Sequence, residues 1–229
     1  MRVAAIIPVL NEVATIGGVV RELPREVVDE VIVADGGSTD GTAAAARAAG
    51  ARVIEAGRGY GRACAAGVGA CEAGILLFLD GDGADRADLA GRLVEPLLRG
   101  EVDFAIASRT RGEREAGSML WHQVLAGRVA GFGIGLLTGT RYSDMCAFRA
   151  ITRAALERLA PREMTYGWNI EMQMQAARAG LRIREIPLPY RCRAGGQSKV
   201  AGSVSGTLRA GGRIVATFAR VAASPVPRG

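Results

Sequence analysis

The chain has 229 residues, 49% of them hydrophobic and 23% charged, with a formal net charge of +6. That balance fits one large α/β domain or two small ones and excludes a disordered chain, while the charge favours anionic partners without choosing among phosphates, nucleic acid and an acidic membrane surface. Four cysteines without a C-x-x-C pair and the single His122 exclude a Cys/His zinc site, and no stretch approaches the ~20 apolar residues of a spanning helix.

The chain opens with an apolar strand at Val3–Val9 that runs into Asn11-Glu12. A second strand is predicted at 31–34, followed by Asp35-Gly36-Gly37-Ser38-Thr39-Asp40-Gly41-Thr42 and an Ala-rich helix over 39–49. Arg52–Glu55 reads as the third strand, and Gly57-Arg58-Gly59-Tyr60-Gly61 precedes a helix at 61–72. The fourth strand, 75–79, ends in Asp80-Gly81-Asp82-Gly83-Ala84-Asp85, and a fifth follows at 104–107. The β-α-β-α-β alternation predicts a mostly parallel, Rossmann-like sheet flanked by helices, with ligands at the carboxyl ends of its strands.

The second half is less regular. A Gly-rich apolar segment at 125–139 and a turn at Tyr142-Ser143-Asp144 precede a helix at 169–179 and a short strand at 183–186. Over 207–223, Arg209, Arg213 and Arg220 share one helical face and Ile214, Phe218, Val221 and Ala222 the opposite one. This amphipathic helix suits either packing on the core or resting on anionic lipid.

Asp80 and Asp82, separated by a residue without a side chain, repel each other unless a cation sits between them. Hard oxygen ligands in small number suit Mg2+ or Mn2+ completed by substrate phosphate, although Asp80 or Asp85 could instead cap the next helix. Asp35 could accept a hydrogen bond from a nucleobase imide, and the glycines at 57–61 could offer backbone N–H groups to phosphate. They lack the Walker pattern. Arg191, Arg193 and Lys199, the only lysine, flank Gly195-Gly196 in one segment that could close on a diphosphate.

These motifs, together with Ile7-Pro8-Val9-Leu10, Ser108-Arg109, the residues from Asp144 to Arg149, those from Gly167 to Glu171, and Gly196-Gln197-Ser198-Lys199, stand in one order along residues 2 to 205. The chain resembles family 2 glycosyltransferases of the GT-A fold, and within them is similar to the dolichyl- and polyprenyl-phosphate mannose or glucose synthases. The resemblance implies a nucleotide-diphospho-sugar transferase fold in one catalytic domain over 1–223. Its parts would be a nucleotide-binding half (1–110), an acceptor half (111–205) and an amphipathic helix (206–223), with a tail at 224–229. The implied activity is inverting transfer of a hexose from a nucleotide-diphosphate sugar to an acceptor such as a polyprenyl phosphate, with Mg2+ or Mn2+ as cofactor.

By the same resemblance Pro8, Glu12 and Asp35 would line the nucleoside pocket, and Asp80 and Asp82 would hold metal and donor. Ser198 and Lys199 would lie over the diphosphate, and Arg109, with Arg149 and Arg128 behind it, near an acceptor phosphate. Two departures stand out: Gly36 replaces the second acid of the common Asp-Asp-Gly-Ser pattern, and the usual glutamine after the metal acids is missing, which leaves Asp85 as the third metal ligand. A lipid phosphate needs no general base, whereas a hydroxyl acceptor would need Asp144 or Glu171. Asp82, Asp144, Arg109 and Lys199 are thus the catalytic candidates. The rivals are transfer to a soluble hydroxyl, a nucleotidyltransferase and a catalytically silent nucleotide-sugar-binding protein. Nucleic acid is not an expected partner, oligomeric state is not legible, and the expected location is cytoplasmic, peripheral on the cytoplasmic face of the membrane.

Overall fold

Val3–Val9 (β1) is apolar and buried at every position, as a strand covered on both faces must be. In the computed structural model, which describes residues 1–195 and 204–224 with the backbone alone over 204–210, it is an interior strand of a seven-stranded sheet. Glu30–Asp35 (β2) and Ile75–Phe78 (β4) pair with it in parallel, and Arg52–Glu55 (β3) extends the sheet beyond β2. Phe104–Ser108 (β5), Arg149–Thr152 (β6) and Ile183–Pro187 (β7) complete the order β3-β2-β1-β4-β6-β5-β7. Only β6 runs antiparallel to its neighbours. Because β6 inserts between β4 and β5, both halves of the chain share one sheet.

The predicted strands are all present, with ends shifted by at most a residue. β6 escapes a reading of apolar runs because it begins with an arginine. Arg149 is fully buried, and its guanidinium donates to the carbonyls of Cys146, Ala147 and Asn169. The helices are Ile16–Glu22 (α1), Thr42–Ala48 (α2), Tyr60–Gly69 (α3), Ala90–Leu98 (α4), Trp121–Thr138 (α5), Arg153–Leu159 (α6), Trp168–Arg178 (α7) and Val204–Ala223 (α8). Four were not foreseen: α1 contains Gly17-Gly18, α4 encloses Pro96, α5 is rich in glycine, and α6 is only seven residues long.

The Gly-rich segment at 125–139 belongs to an 18-residue helix, α5. Its glycines serve close approach: a Cβ at Gly131 would overlap the Tyr142 carbonyl. The C-terminal helix α8 is held to the protein by both of its faces. Val221 is buried and Ile214 and Phe218 pack against the core, but Ala222 is exposed and Thr217 buried in its stead. Arg213 and Arg220, expected on a free polar face, pair with Glu163 at 3.3 Å and Glu171 at 3.0 Å. No described helix is long and apolar enough to cross a membrane.

The Gly57–61 loop is equally committed to packing. Gly61 N–H donates to the Thr165 carbonyl and Arg62 N–H to that of Met164, so these donors at the start of α3 are taken by protein rather than offered to phosphate. A Cβ at Gly61 would overlap the Glu163 carbonyl oxygen, whereas one at Gly69 meets nothing. Gly61→Ala should therefore cost about 1–3 kcal/mol in denaturant unfolding, while Gly69→Ala should cost nothing.

Candidate active site

The loops after β1 and β2 are sewn together at the carboxyl edge of the sheet. Asn11 N–H donates to Ser38 Oγ and Glu12 N–H to Thr42 Oγ1, both at 2.8 Å, while Thr39 N–H donates to Asn11 Oδ1 at 2.9 Å. Asp35 accepts from Gly37 N–H, Ser38 N–H and Ser38 Oγ, all on Oδ1. One oxygen of the acid expected to read a nucleobase is thus spent on organising its own loop. Beneath these loops opens a cavity of about 580 Å³, lined by Pro8, Glu12, Asp80, Asp82 and Arg109 among others. Five of the expected residues therefore share one cavity.

The acids after β4 carry a charge problem. Burial, and then the neighbouring Asp82, push the Asp80 carboxyl up to about 6. Burial, then Asp80 and Asp82, push Asp85 up to about 8. Asp85 does not line the cavity: Asp80 N–H donates to its Oδ2 at 3.4 Å, and Cys146 Sγ lies 3.9 Å from its Oδ1. The expectation that Asp85 is a third metal ligand is not met. Among the described residues no group of three or more acid, His or Cys side chains converges to hold a metal.

Positive charge comes to these acids from the far end of the chain. Residues 190–194 run alongside 82–85: Arg191 N–H donates to the Ala84 carbonyl at 3.0 Å and Ala194 N–H to that of Asp82 at 3.1 Å, and Asp85 and Tyr190 form an antiparallel bridge. Arg193 then spans Glu12 Oε1 and Asp82 Oδ2, 3.0 Å from each. Of the expected basic segment, the described residues 191–194 lie on the acid cluster. Ser198 and Lys199, to which the donor role was assigned, lie outside the described residues.

Arg109 lines the same cavity from the end of β5. Its Nε and Nη2 bind the two oxygens of Asp144 at 2.7 and 2.8 Å, and its guanidinium lies 5.1 Å from the centre of the Tyr190 ring. Asp144 also accepts from Arg109 N–H and Met145 N–H, so both oxygens are taken twice. Burial alone would raise this carboxyl, but the Arg109 bonds outweigh it and hold it below the usual carboxylate range. Such a group is a poor base. Glu171 is no better placed: it accepts from the N–H groups of Arg162 and Glu163 and pairs with Arg220, away from the cavity. Arg149 is interior and Arg128 is exposed on α5, and neither reaches the cavity.

The motifs in the sequence do not single out Tyr60, Asn169 or Tyr190, nor give Arg193 a role of its own, although all four line the cavity. Tyr60 sits in the Gly-rich loop and Asn169 in the Gly167 to Glu171 motif, so the motifs mark their neighbourhoods but not the side chains. For Arg193 and Tyr190 the signal is tertiary.

Comparison with known proteins agrees with this geometry. The model of the family described as Glycosyl transferase family 2 matches residues 4–159. An uncharacterized glycosyltransferase of Mycobacterium tuberculosis is 33% identical over 212 residues, covering 90% of this chain and 93% of its own. The undecaprenyl-phosphate mannosyltransferase of Micrococcus luteus is 30% identical over 226 residues, with 90% of each chain covered. The crystal structure of glucosyl-3-phosphoglycerate synthase from Mycobacterium tuberculosis in complex with Mn2+, UDP-glucose and phosphoglyceric acid superposes with a TM-score of 0.77 at 26% identity, over 98% of this chain and 80% of that one. The chain belongs to glycosyl transferase family 2 and has the GT-A fold, which makes it a transferase of sugars.

The Arg109–Asp144 pair makes a stability prediction. Asp144→Asn leaves Arg109 without its counter-charge and should cost about 3 kcal/mol. Because the folded-state carboxyl titrates low, that contribution is complete above the ordinary aspartate value of about 4 and is lost as pH falls through the depressed one. Thermal melts of the two proteins should differ most near neutral pH and converge in acid.

Proposed function

We propose that the chain transfers a hexose, with inversion, from a nucleoside-diphosphate sugar to the phosphate of a polyprenyl phosphate at the cytoplasmic face of a membrane. The observation that carries this reading is the contrast between Arg109 and the carboxylates around it. Asp144 and Glu171, the candidate bases, have no oxygen without a donor, whereas Arg109 keeps Nη1, the guanidinium nitrogen that Asp144 does not take. A phosphate is already ionised and needs no base, only a cation to hold it. The likeness to an undecaprenyl-phosphate mannosyltransferase supports the same acceptor class.

In this reading residues 1–110 hold the donor, and 111–205 with α8 the acceptor. Pro8, Glu12 and the loop organised by Asp35 receive the nucleoside, and Asp80 and Asp82 hold Mg2+ or Mn2+ with the diphosphate. The donor set fits such an ion: two crowded carboxylates in need of positive charge, with further oxygens left to phosphate and water. When bound, the ion neutralises charge on the departing diphosphate. Mn2+ in the related synthase supports the assignment. An oxygen of the acceptor phosphate, oriented by Arg109, attacks the anomeric carbon, and the bond to the diphosphate breaks with its electron pair leaving on the nucleotide. Arg193 is placed to follow that charge. Ser198 and Lys199 enter this reading from their motif alone.

A soluble phosphorylated acceptor is the second reading, supported by the phosphoglyceric acid bound in the related synthase. There a hydroxyl would attack and must lose a proton, which neither Asp144 nor Glu171 is free to take. Assays of hexose transfer from UDP- and GDP-sugars with Mn2+ should show product with a short-chain prenyl phosphate and none with the matching alcohol. Transfer to 3-phosphoglycerate alone would replace the first reading by the second. Asp82→Ala should lower turnover roughly a thousandfold, and full activity in chelator would remove the metal. Arg109→Gln should raise the acceptor KM by about tenfold or more while sparing that of the donor.

A further inference from the structure

Helix α5 is built inside out. At about 100° per residue, Trp121, Leu125, Val129, Phe132 and Leu136 fall within an arc of about 80°. They are 76%, 52%, 62%, 53% and 71% exposed. The buried side of the same helix carries Gly127, Gly131 and Ile134. An ordinary surface helix buries its bulk and exposes its polar groups. Here the glycines face the protein and the large apolar side chains face out, as a continuous strip of the kind that marks a contact surface.

Three features choose the occupant. The helix carries no Asp or Glu, its one charged residue, Arg128, borders the strip, and Arg141 lies 5.7 Å from the Phe132 ring centre, so both of these charges beside the strip are positive. A second copy meeting it strip to strip would bring these like charges together, whereas an anionic bilayer complements them. The helix that carries the strip also borders the site: Gln123, in the first turn of α5, and Ile214 of α8 both line the cavity, and Gly133 of α5 packs against Phe218 of α8. A surface resting on α5 would bring its headgroups to the mouth of the cleft. We infer that the outward strip of α5 seats the protein on an anionic lipid surface, with Trp121 at the headgroup level. The inference rests on the lipid-phosphate reading for its purpose but not for its test.

The chain has two tryptophans, and Trp168 is buried at 2% exposure, so a change in emission on adding lipid reports Trp121. The full chain is mixed with vesicles of phosphatidylcholine alone and of equimolar phosphatidylcholine and phosphatidylglycerol. The anionic vesicles should sediment the protein, shift the emission to the blue and, when brominated, quench it. Substituting Leu125, Val129 and Leu136 together by Gln, a good helix former, should weaken partition roughly tenfold or more with the circular dichroism melt retained. Unshifted emission, or equal partition by the triple variant, overturns the inference. So does a wild-type dimer that ignores vesicles and becomes monomeric in the variant, which would assign the strip to a second copy. Transfer to a water-soluble prenyl phosphate without vesicles tests the acceptor separately. If transfer occurs and vesicles are not bound, the strip is wrong and the acceptor stands; if vesicles bind through Trp121 and no prenyl phosphate is glycosylated, the strip stands and the acceptor is wrong.

Discussion

Asp80, Asp82 and Asp85 lie within six residues at the end of β4, and repulsion between carboxylates in such surroundings is strong. The strand order forces the crowding, since the carboxyl end of β4 lies beside that of β1, which delivers Glu12 to the same place. The fold answers in two ways. Asp80 and Asp85 have their protonation raised, and the segment after β7 is laid against the acids so that Arg193 sits between Glu12 and Asp82. Any ligand that brings its own positive charge to this edge competes with that guanidinium for the same oxygens. A site with this imbalance suits a donor whose diphosphate arrives with a divalent cation.

The end of β5 is organised around a charge of the other sign. Arg109 follows β5, and Asp144 behind it is held from several directions. Gln173 of α7 donates to the Asp144 carbonyl at 3.1 Å, Ser108 Oγ and Ser143 Oγ are 2.6 Å apart, and Ser143 N–H donates to Glu185 of β7 at 2.8 Å. Three elements thus fix one guanidinium. A cation held this firmly loses little conformational freedom on meeting an anion, which is the advantage of building a binding group on strands and helices.

The parts of this arrangement that were legible in the sequence are those fixed locally. Short apolar runs closed by Asp or Gly gave the parallel strands, the rule that ligands collect at strand ends gave Glu12, Asp80 and Asp82, and the family resemblance added Pro8 and Arg109. What was not legible depends on distant pairing. β6 is a strand because β4 and β5 need a partner between them, although its first residue is a buried arginine satisfied only by carbonyls. Asp85 is not part of the cavity lining, and the residues that pair alongside it, 190–194, lie more than a hundred positions downstream. The tertiary fold likewise settled α5, whose glycines weigh against a helix until the surface that they approach is known.

That last point joins the Arg109–Asp144 pair to the outer surface. Gly127 of α5 lies against the Asp144 segment, with Asp144 Oδ1 and Met145 N the atoms that a Cβ there would meet, at 3.7 and 3.9 Å, and Gly131 lies against Tyr142. The helix can back the Arg109–Asp144 pair this closely only if its inner face is nearly bare of side chains. Its bulk must then lie on the remaining faces, and those look outward. A polar outer face would have satisfied solubility equally well, so the packing requirement explains the glycines but not Trp121, Leu125, Val129, Phe132 and Leu136. Exposed apolar surface of that extent carries a standing hydration cost of about 25 cal/mol per Å². Such a cost is relieved only by an apolar contact outside the chain's own core, and α5 carries that surface on the helix whose first turn borders the cleft.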